Sequence, residues 1–260
     1  MFYIKLVFLS VKHKQLLGLV KYGFNSLQDK WKKKRIQEYI KQAISSEEAL
    51  EIIFKNKKVD SKVFYQLEKY IDDFAQLKKG LKWPSKEYPY QIEYGLPRSI
   101  CRFLFNFSLF SNSEIIIETG VANGFSSSYI LLALDVANRG KLISIDTVLL
   151  PWQTREKIGE GIPNNLKKRH SLIIGNSLNE LEKLSKENFQ IDIFVHDSEH
   201  TYNHMMKEFK IAWPMIKKDG FLLSDDVARH DAFLEFADQI KTIPIVVEEE
   251  NGNYFGIIQK

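Results

Sequence analysis

Apolar residues along this chain fall into two rhythms, one of helical spacing and one of short runs. Between about residues 24 and 82 they recur every three or four positions, as in Ile36, Tyr39, Ile40 and Ala43, then Phe64, Leu67, Ile71 and Phe74. That spacing predicts several amphipathic helices. Ser45-Ser46-Glu47-Glu48 offers a capping hydroxyl followed by first-turn acids, so a new helix is expected there. Pro84 and Pro89 end this pattern and open a linker or loop. A helix is expected again over Arg98 to Phe107, and beyond it short apolar runs appear at Glu114–Glu118, Lys141–Ile145, Ser171–Ile174, Ile191–His196 and Gly220–Ser224. Helix-like stretches, among them Tyr129–Ala137, separate most of these runs. Such alternation implies parallel strands, because crossover helices bury both faces of the sheet. The close differs: Ile243–Glu248, then Asn251-Gly252, then Tyr254–Ile258 reads as an antiparallel hairpin. The fold expected is therefore α/β and doubly wound, with residues 1–97 as a helical extension and residues 98–260 as the main domain.

Composition narrows this little: of 260 residues 44% are hydrophobic and 27% charged, as in an ordinary folded protein. The net charge of +4 favours an anionic partner without demanding one. Lys30, Lys32, Lys33, Lys34 and Arg35 read as a solvated helix face, and no nucleic-acid partner is expected. Cys101 is the only cysteine, which excludes an intrachain disulfide and suits a reducing, cytoplasmic setting. Met1 to Val20 is interrupted by Lys5, Lys12, His13 and Lys14, so neither a transmembrane span nor a secretory signal is expected. Phe2, Tyr3, Leu6, Phe8 and Leu9 allow weak peripheral membrane contact, but an amphipathic helix packed on this chain or a partner subunit is the favoured reading.

The candidate chemistry lies at the ends of the runs. Each parallel strand closes on a polar residue: Glu118, Asp146, Asn176, Asp197 and the pair Asp225-Asp226. The carboxyl ends of parallel strands border the ligand crevice, so these residues are expected to converge. After the first strand comes Glu118-Thr119-Gly120-Val121-Ala122-Asn123-Gly124, then Phe125-Ser126-Ser127-Ser128. Glycines there permit a sharp turn and close ligand approach, and the next helix presents its free N–H groups. A carboxylate at Asp146 suits the two hydroxyls of a ribose, as in NAD or S-adenosylmethionine. The Glu-x-Gly-x-x-x-Gly turn and the closing hairpin favour the latter. His200, three residues after Asp197, is the candidate general base. His196 is expected to pack or orient neighbours, His204 and His230 to lie near the site, and Tyr202 and Trp213 to serve the core or a lid.

The segments Ile115–Asp146, Asp192–Tyr202 and Lys218–Asp226 resemble the class I S-adenosylmethionine-dependent methyltransferases. The likeness is closest to the branch of macrolide-sugar O-methyltransferases and cephalosporin-hydroxylase-like proteins, and more distant to catechol O-methyltransferases. It covers residues 98–260 and implies a Rossmann-like, mostly parallel seven-stranded sheet ending in the hairpin. It implies that Glu118, Gly120 and Gly124, with Ala122, Asn123 and Ser126 of the same turn, line the methionine part of the cofactor. Asp146 then holds the ribose, and Asn176 with Ser177 lies beside the adenine, where Asp is common in place of Asn176. Asp197 also borders the cofactor, and Asp197, Asp225 and Asp226 match positions that bind Mg²⁺ or another divalent cation. A hard cation relieves the repulsion of three adjacent carboxylates. The competing reading is that Asp226 caps the following helix while Asp225 only orders a loop.

The expected activity is methyl transfer to an oxygen of a small molecule or glycan. Acceptor contacts are expected from Trp83–Leu96 and Leu149–Pro163, where Trp83, Tyr88, Tyr90, Tyr94 and Trp152 can stack on a ring. The extension is expected to act as an acceptor lid or to pair subunits in a homo-oligomer. Two alternatives compete: an NAD-dependent oxidoreductase, for which no Tyr-x-x-x-Lys arrangement is found, and a non-catalytic binding protein.

Overall fold

The computed structural model describes residues 35–55, 57–81, 85, 88, 90–92, 94–148, 153–249 and 252–260. The stretch Met1–Val20, the helical pattern up to residue 34, the Lys30–Lys34 cluster, Trp83, Pro84, Pro89, Leu149, Trp152 and Asn251 lie outside the described residues. Its strands are β1 Ile115–Thr119, β2 Lys141–Asp146, β3 His170–Ile174, β4 Ile191–His196, β5 Ile216–Ser224, β6 Ile245–Glu248 and β7 Tyr254–Gln259. They form one sheet in the order β3-β2-β1-β4-β5-β7-β6. β7 runs antiparallel to both β5 and β6, while the β1, β2, β3, β4 and β5 pairings are parallel. This is the expected doubly wound sheet with a hairpin at its edge.

The described helices are α1 Ile36–Ile40, α2 Ser46–Phe54, α3 Tyr65–Lys78, α4 Arg98–Phe110, α5 Phe125–Val136, α6 Ser177–Lys186, α7 Tyr202–Met215 and α8 Ala232–Gln239. Successive strand residues point to opposite faces, which separates two cores. Ile116, Ile193, Val195, Leu223 and Ile257 pack with α4 and α5. Their neighbours Ile117, Phe194, Leu222 and Ile258 pack with α7 and α8. Both faces are covered, so the strands are mostly apolar where they cross the core.

Several boundaries differ from expectation, most by one residue, and β5 starts at Ile216 rather than Gly220. α5 starts at Phe125 rather than Tyr129, because Gly124 takes a left-handed φ of +85° and Ser126 to Ser128 turn their hydroxyls inward. α4 runs on to Phe110, since Ser108 and Phe110 continue its buried face. β6 begins at Ile245, and Ile243 is 87% exposed, an apolar residue with no sheet partner.

The described part of the extension packs on this sheet. Ser45 and Glu48 form the expected capping box at the start of α2. Ile44 bridges Val247 in parallel, with Ile44 N–H to Val246 O at 3.0 Å and Glu248 N–H to Ile44 O at 2.9 Å, which occupies part of the exposed edge of β6. Phe54 packs edge-on against Phe107 and Phe110, and Phe64 against Phe105. Among the described residues no helix is long and apolar enough to cross a membrane.

Candidate functional site

The turn after β1 is braced from below. Glu118 is fully buried, and its carboxylate accepts hydrogen bonds from Ser126 at 2.8 Å, Ser127 at 2.5 Å and Ser144 at 2.9 Å. Burial pushes this carboxyl up to about 7 against the pull of the three serines. Glu118 and Ser126 thus sit beneath the turn and shape it. Gly120 has φ +87°, and a Cβ there would lie 1.8 Å from the Asp197 carbonyl oxygen. The glycine is required by the tip of β4, whose Asp197 N–H reaches back to Thr119 O at 2.8 Å. A Cβ on Gly124 would meet Ile162 at 2.5 Å.

Asp146 faces the same turn from β2. Its Oδ2 accepts the Val121 and Ala122 N–H groups, each at 2.8 Å, and its Oδ1 accepts the Thr147 N–H at 2.6 Å. The fourth donor is the Tyr90 hydroxyl, 3.1 Å from Oδ1 and shared with the Thr147 carbonyl. A carboxylate offers about four acceptor sites, so Asp146 is saturated. Burial raises its pKa although all four donors oppose this. Asn123 joins the strap, its Nδ2 donating to Gln91 O at 2.7 Å. Asn176 is the N-cap of α6, with Oδ1 accepting from Asn179 N–H at 3.3 Å. Ser177 is buried and turned inward, 3.1 Å from His204 Nε2.

The tips of β4 and β5 bring Asp197, His200 and Asp225 together, with one ligand atom of each within 4.8 Å of the others. His200 Nε2 lies 3.7 Å from Asp197 and 3.6 Å from Asp225, buried and without a hydrogen-bond partner. Asp226 stands outside this trio: its Oδ2 lies 3.2 Å from His200 Nδ1 and 2.8 Å from Arg229 Nε. Burial, then the neighbouring Asp225, raises Asp197 well above the usual carboxylate range. Asp225 is pushed up to about 7 by burial and then by Asp226. Burial, with His196 and Arg229 adding to it, holds His200 well below the usual histidine value and so neutral. Two largely buried carboxylates at adjacent strand tips are donors that fit a divalent cation, with the His200 imidazole beside them.

Two acids of this region escaped the sequence. Glu249, just past the end of β6, is buried and hydrogen-bonds Asp225, making a further polar strand tip. Glu208 of α7 is fully buried and accepts from Thr119 at 2.7 Å, His196 at 2.6 Å, Ser198 at 2.9 Å and His204 at 2.8 Å. It thereby ties down both neighbours of Asp197 and the end of β1. Burial works to raise its pKa, but His196 and His204 outweigh it and hold the carboxyl well below the usual range. Elsewhere in the region Tyr202 bonds Glu235, and Trp213 packs against Phe236.

Residues 117–227 match the model of a family described as a methyltransferase domain. The architecture resembles the O-methyltransferase from Bacillus cereus solved with SAH, at a TM-score of 0.55 and 14% identity over 85% of this chain and 100% of that one. It also resembles the O-methyltransferase TomG from Streptomyces achromogenes, solved with SAM, at a TM-score of 0.53 and 14% identity over 83% of this chain and 98% of that one. A methyltransferase from Podospora anserina solved with SAH gives a TM-score of 0.54 at 12% identity, over 83% of this chain and 95% of that one. No curated protein matches the chain in sequence. Residues 117–227 are therefore a methyltransferase domain, set in a chain with the fold of the class I S-adenosylmethionine-dependent methyltransferases.

Proposed function

We propose that this chain transfers the methyl group of S-adenosylmethionine to a hydroxyl oxygen of a small-molecule or sugar acceptor. The observation that carries this reading is the convergence of Asp197, His200 and Asp225 within 4.8 Å at strand tips next to the Gly120 turn. When bound, adenosylmethionine supplies an electrophilic methyl group, and a divalent cation such as Mg²⁺ supplies charge that acidifies a nearby hydroxyl.

The chain's own residues do the rest. Asp146 and the 120–124 turn hold the ribose and methionine ends, with Asn176 and Ser177 at the adenine side. Asp197 and Asp225 hold the cation, and Asp226 fixes the far edge of the His200 ring. His200, neutral and with a free Nε2, receives the acceptor's proton. Glu118 and Glu208 keep the two tips in register from beneath. In the same reading residues 98–260 form the transferase domain. Residues 1–97 act as a lid on the acceptor side or pair subunits of a homo-oligomer, in a cytoplasmic protein.

The test is transfer of labelled methyl to a panel of acceptor alcohols and glycans. Asp197→Ala and chelation by EDTA should each lower the rate at least about 100-fold. A full rate in both would remove the cation and Asp197 from the mechanism.

A further inference from the structure

Asn176 and Ser177, assigned above to the adenine side, both turn their side chains into the protein. Asn176 Oδ1 caps α6 through the Asn179 N–H, and the buried Ser177 hydroxyl lies 3.1 Å from His204 Nε2. That nitrogen is also 2.8 Å from Glu208 Oε1. A carboxylate only accepts, so Nε2 carries the proton, and its one N–H serves Glu208 with the Ser177 oxygen as second acceptor. Ser198, next to Asp197, donates to the same Glu208 oxygen at 2.9 Å and lies 3.3 Å from His204 Nε2. On the other side of the ring, Nδ1 is 3.7 Å from Glu199. His204 is only 9% exposed, and α7 carries it four residues before Glu208, on one face of the helix. The imidazole therefore stands between two segments that border the crevice, the turn after β3 and the tip of β4. That turn is tethered to β2 through its backbone, Gly175 N–H to Asp146 O at 2.9 Å, and to α7 through the Ser177 side chain.

We propose that His204 is a positioning residue for the cofactor: through Ser177 it fixes the adenine-side turn at a set distance from the Asp197 tip, so that one adenosyl group spans both. The Ser177 hydroxyl is then a tether to α7 rather than a contact to the adenine. A turn released from that tether keeps its local fold, because Asn176 still caps α6 and Gly175 still bonds β2. It must, however, be ordered when the adenosyl group binds, and that ordering weakens the affinity. This inference rests on the methyltransferase reading above.

Calorimetric titration of the whole chain with S-adenosylhomocysteine and with 5′-methylthioadenosine tests it. Ser177→Ala should weaken both ligands about fivefold, and His204→Leu at least about fivefold. The double variant should bind within about twofold of His204→Leu alone, because the second change removes nothing that the first has left. His204→Gln, whose amide can still donate where Nε2 did, should stay within about twofold of wild type. Amide hydrogen exchange gives a second reading from Ser177→Ala alone: residues 175–178 of the ligand-free protein should exchange at least about threefold faster. Ser177→Ala weakening both ligands while His204→Leu weakens neither would overturn the proposal, since the hydroxyl then serves the adenine directly. Effects that multiply in the double variant, or unchanged exchange at residues 175–178, overturn it as well. Failure of wild-type protein to bind either ligand would instead strike the methyltransferase reading itself.

Discussion

Tyr90 and a ribose ask for the same acceptor on Asp146. All four acceptor sites of that carboxylate are filled, and only the Tyr90 hydroxyl comes from a side chain that can rotate away. Tyr90→Phe removes a competing bond of about 1 kcal/mol, so S-adenosylhomocysteine should bind about fivefold tighter by calorimetry. Weaker binding would show that Tyr90 supports the cofactor rather than competing with it. Gly120 makes a harsher case: with φ +87° and a carbonyl 1.8 Å from the would-be Cβ, Gly120→Ala must move the tip of β4. A loss of more than roughly 3 kcal/mol is expected in denaturant unfolding. At this scale two residues play a structural part that the sequence does not show. A glycine in this turn suggests room for a ligand, and the structure gives that room to the backbone of Asp197. Tyr90 has the character of a stacking residue in sequence, because nothing there ties it to a carboxylate 56 positions later.

Between elements the site depends on the seam of β1, β4 and α7, closed by Glu208. Its four donors come from the end of β1, both sides of Asp197, and α7 itself. Glu208→Ala leaves the fully buried Thr119 and His196 without their acceptor, and should cost about 3–5 kcal/mol. Because its folded pKa is depressed, Glu208 contributes stability above the usual carboxylate range and loses it as pH falls through the folded value. The melting temperature of wild type should therefore drop steeply in acid, and Glu208→Gln should flatten that limb at a lower plateau. An unchanged slope would mean the carboxylate is not held as described. The polar strand tips were legible because a carboxylate breaks an apolar run. Glu208 was not, since one acid on an amphipathic helix looks like any solvent-facing residue. The same ambiguity hid the start of α5, where three serines read as loop but turn inward to Glu118 and Gly124.

For the molecule as a whole, the strand and helix alternation carried the fold class, and the closing hairpin fixed the antiparallel edge. How the extension sits on the sheet was not readable, because helical spacing shows that a face is buried but not against what. Ile36 is completely buried against the second core, and its N–H meets Asp231 Oδ1 at 2.9 Å. Ile36→Ala should cost about 2–4 kcal/mol in a single cooperative transition. A separate, earlier transition would mean that this segment folds independently of the sheet. The convergence of strand tips on one crevice remains the claim from which the rest follows, and calorimetric titration of the intact chain tests it most directly. S-adenosylhomocysteine should bind with a dissociation constant of about micromolar, Asp146→Ala should weaken it at least about tenfold, and NAD should give no heat. Binding of NAD without S-adenosylhomocysteine, or an Asp146→Ala protein that binds as tightly as wild type, would contradict the account.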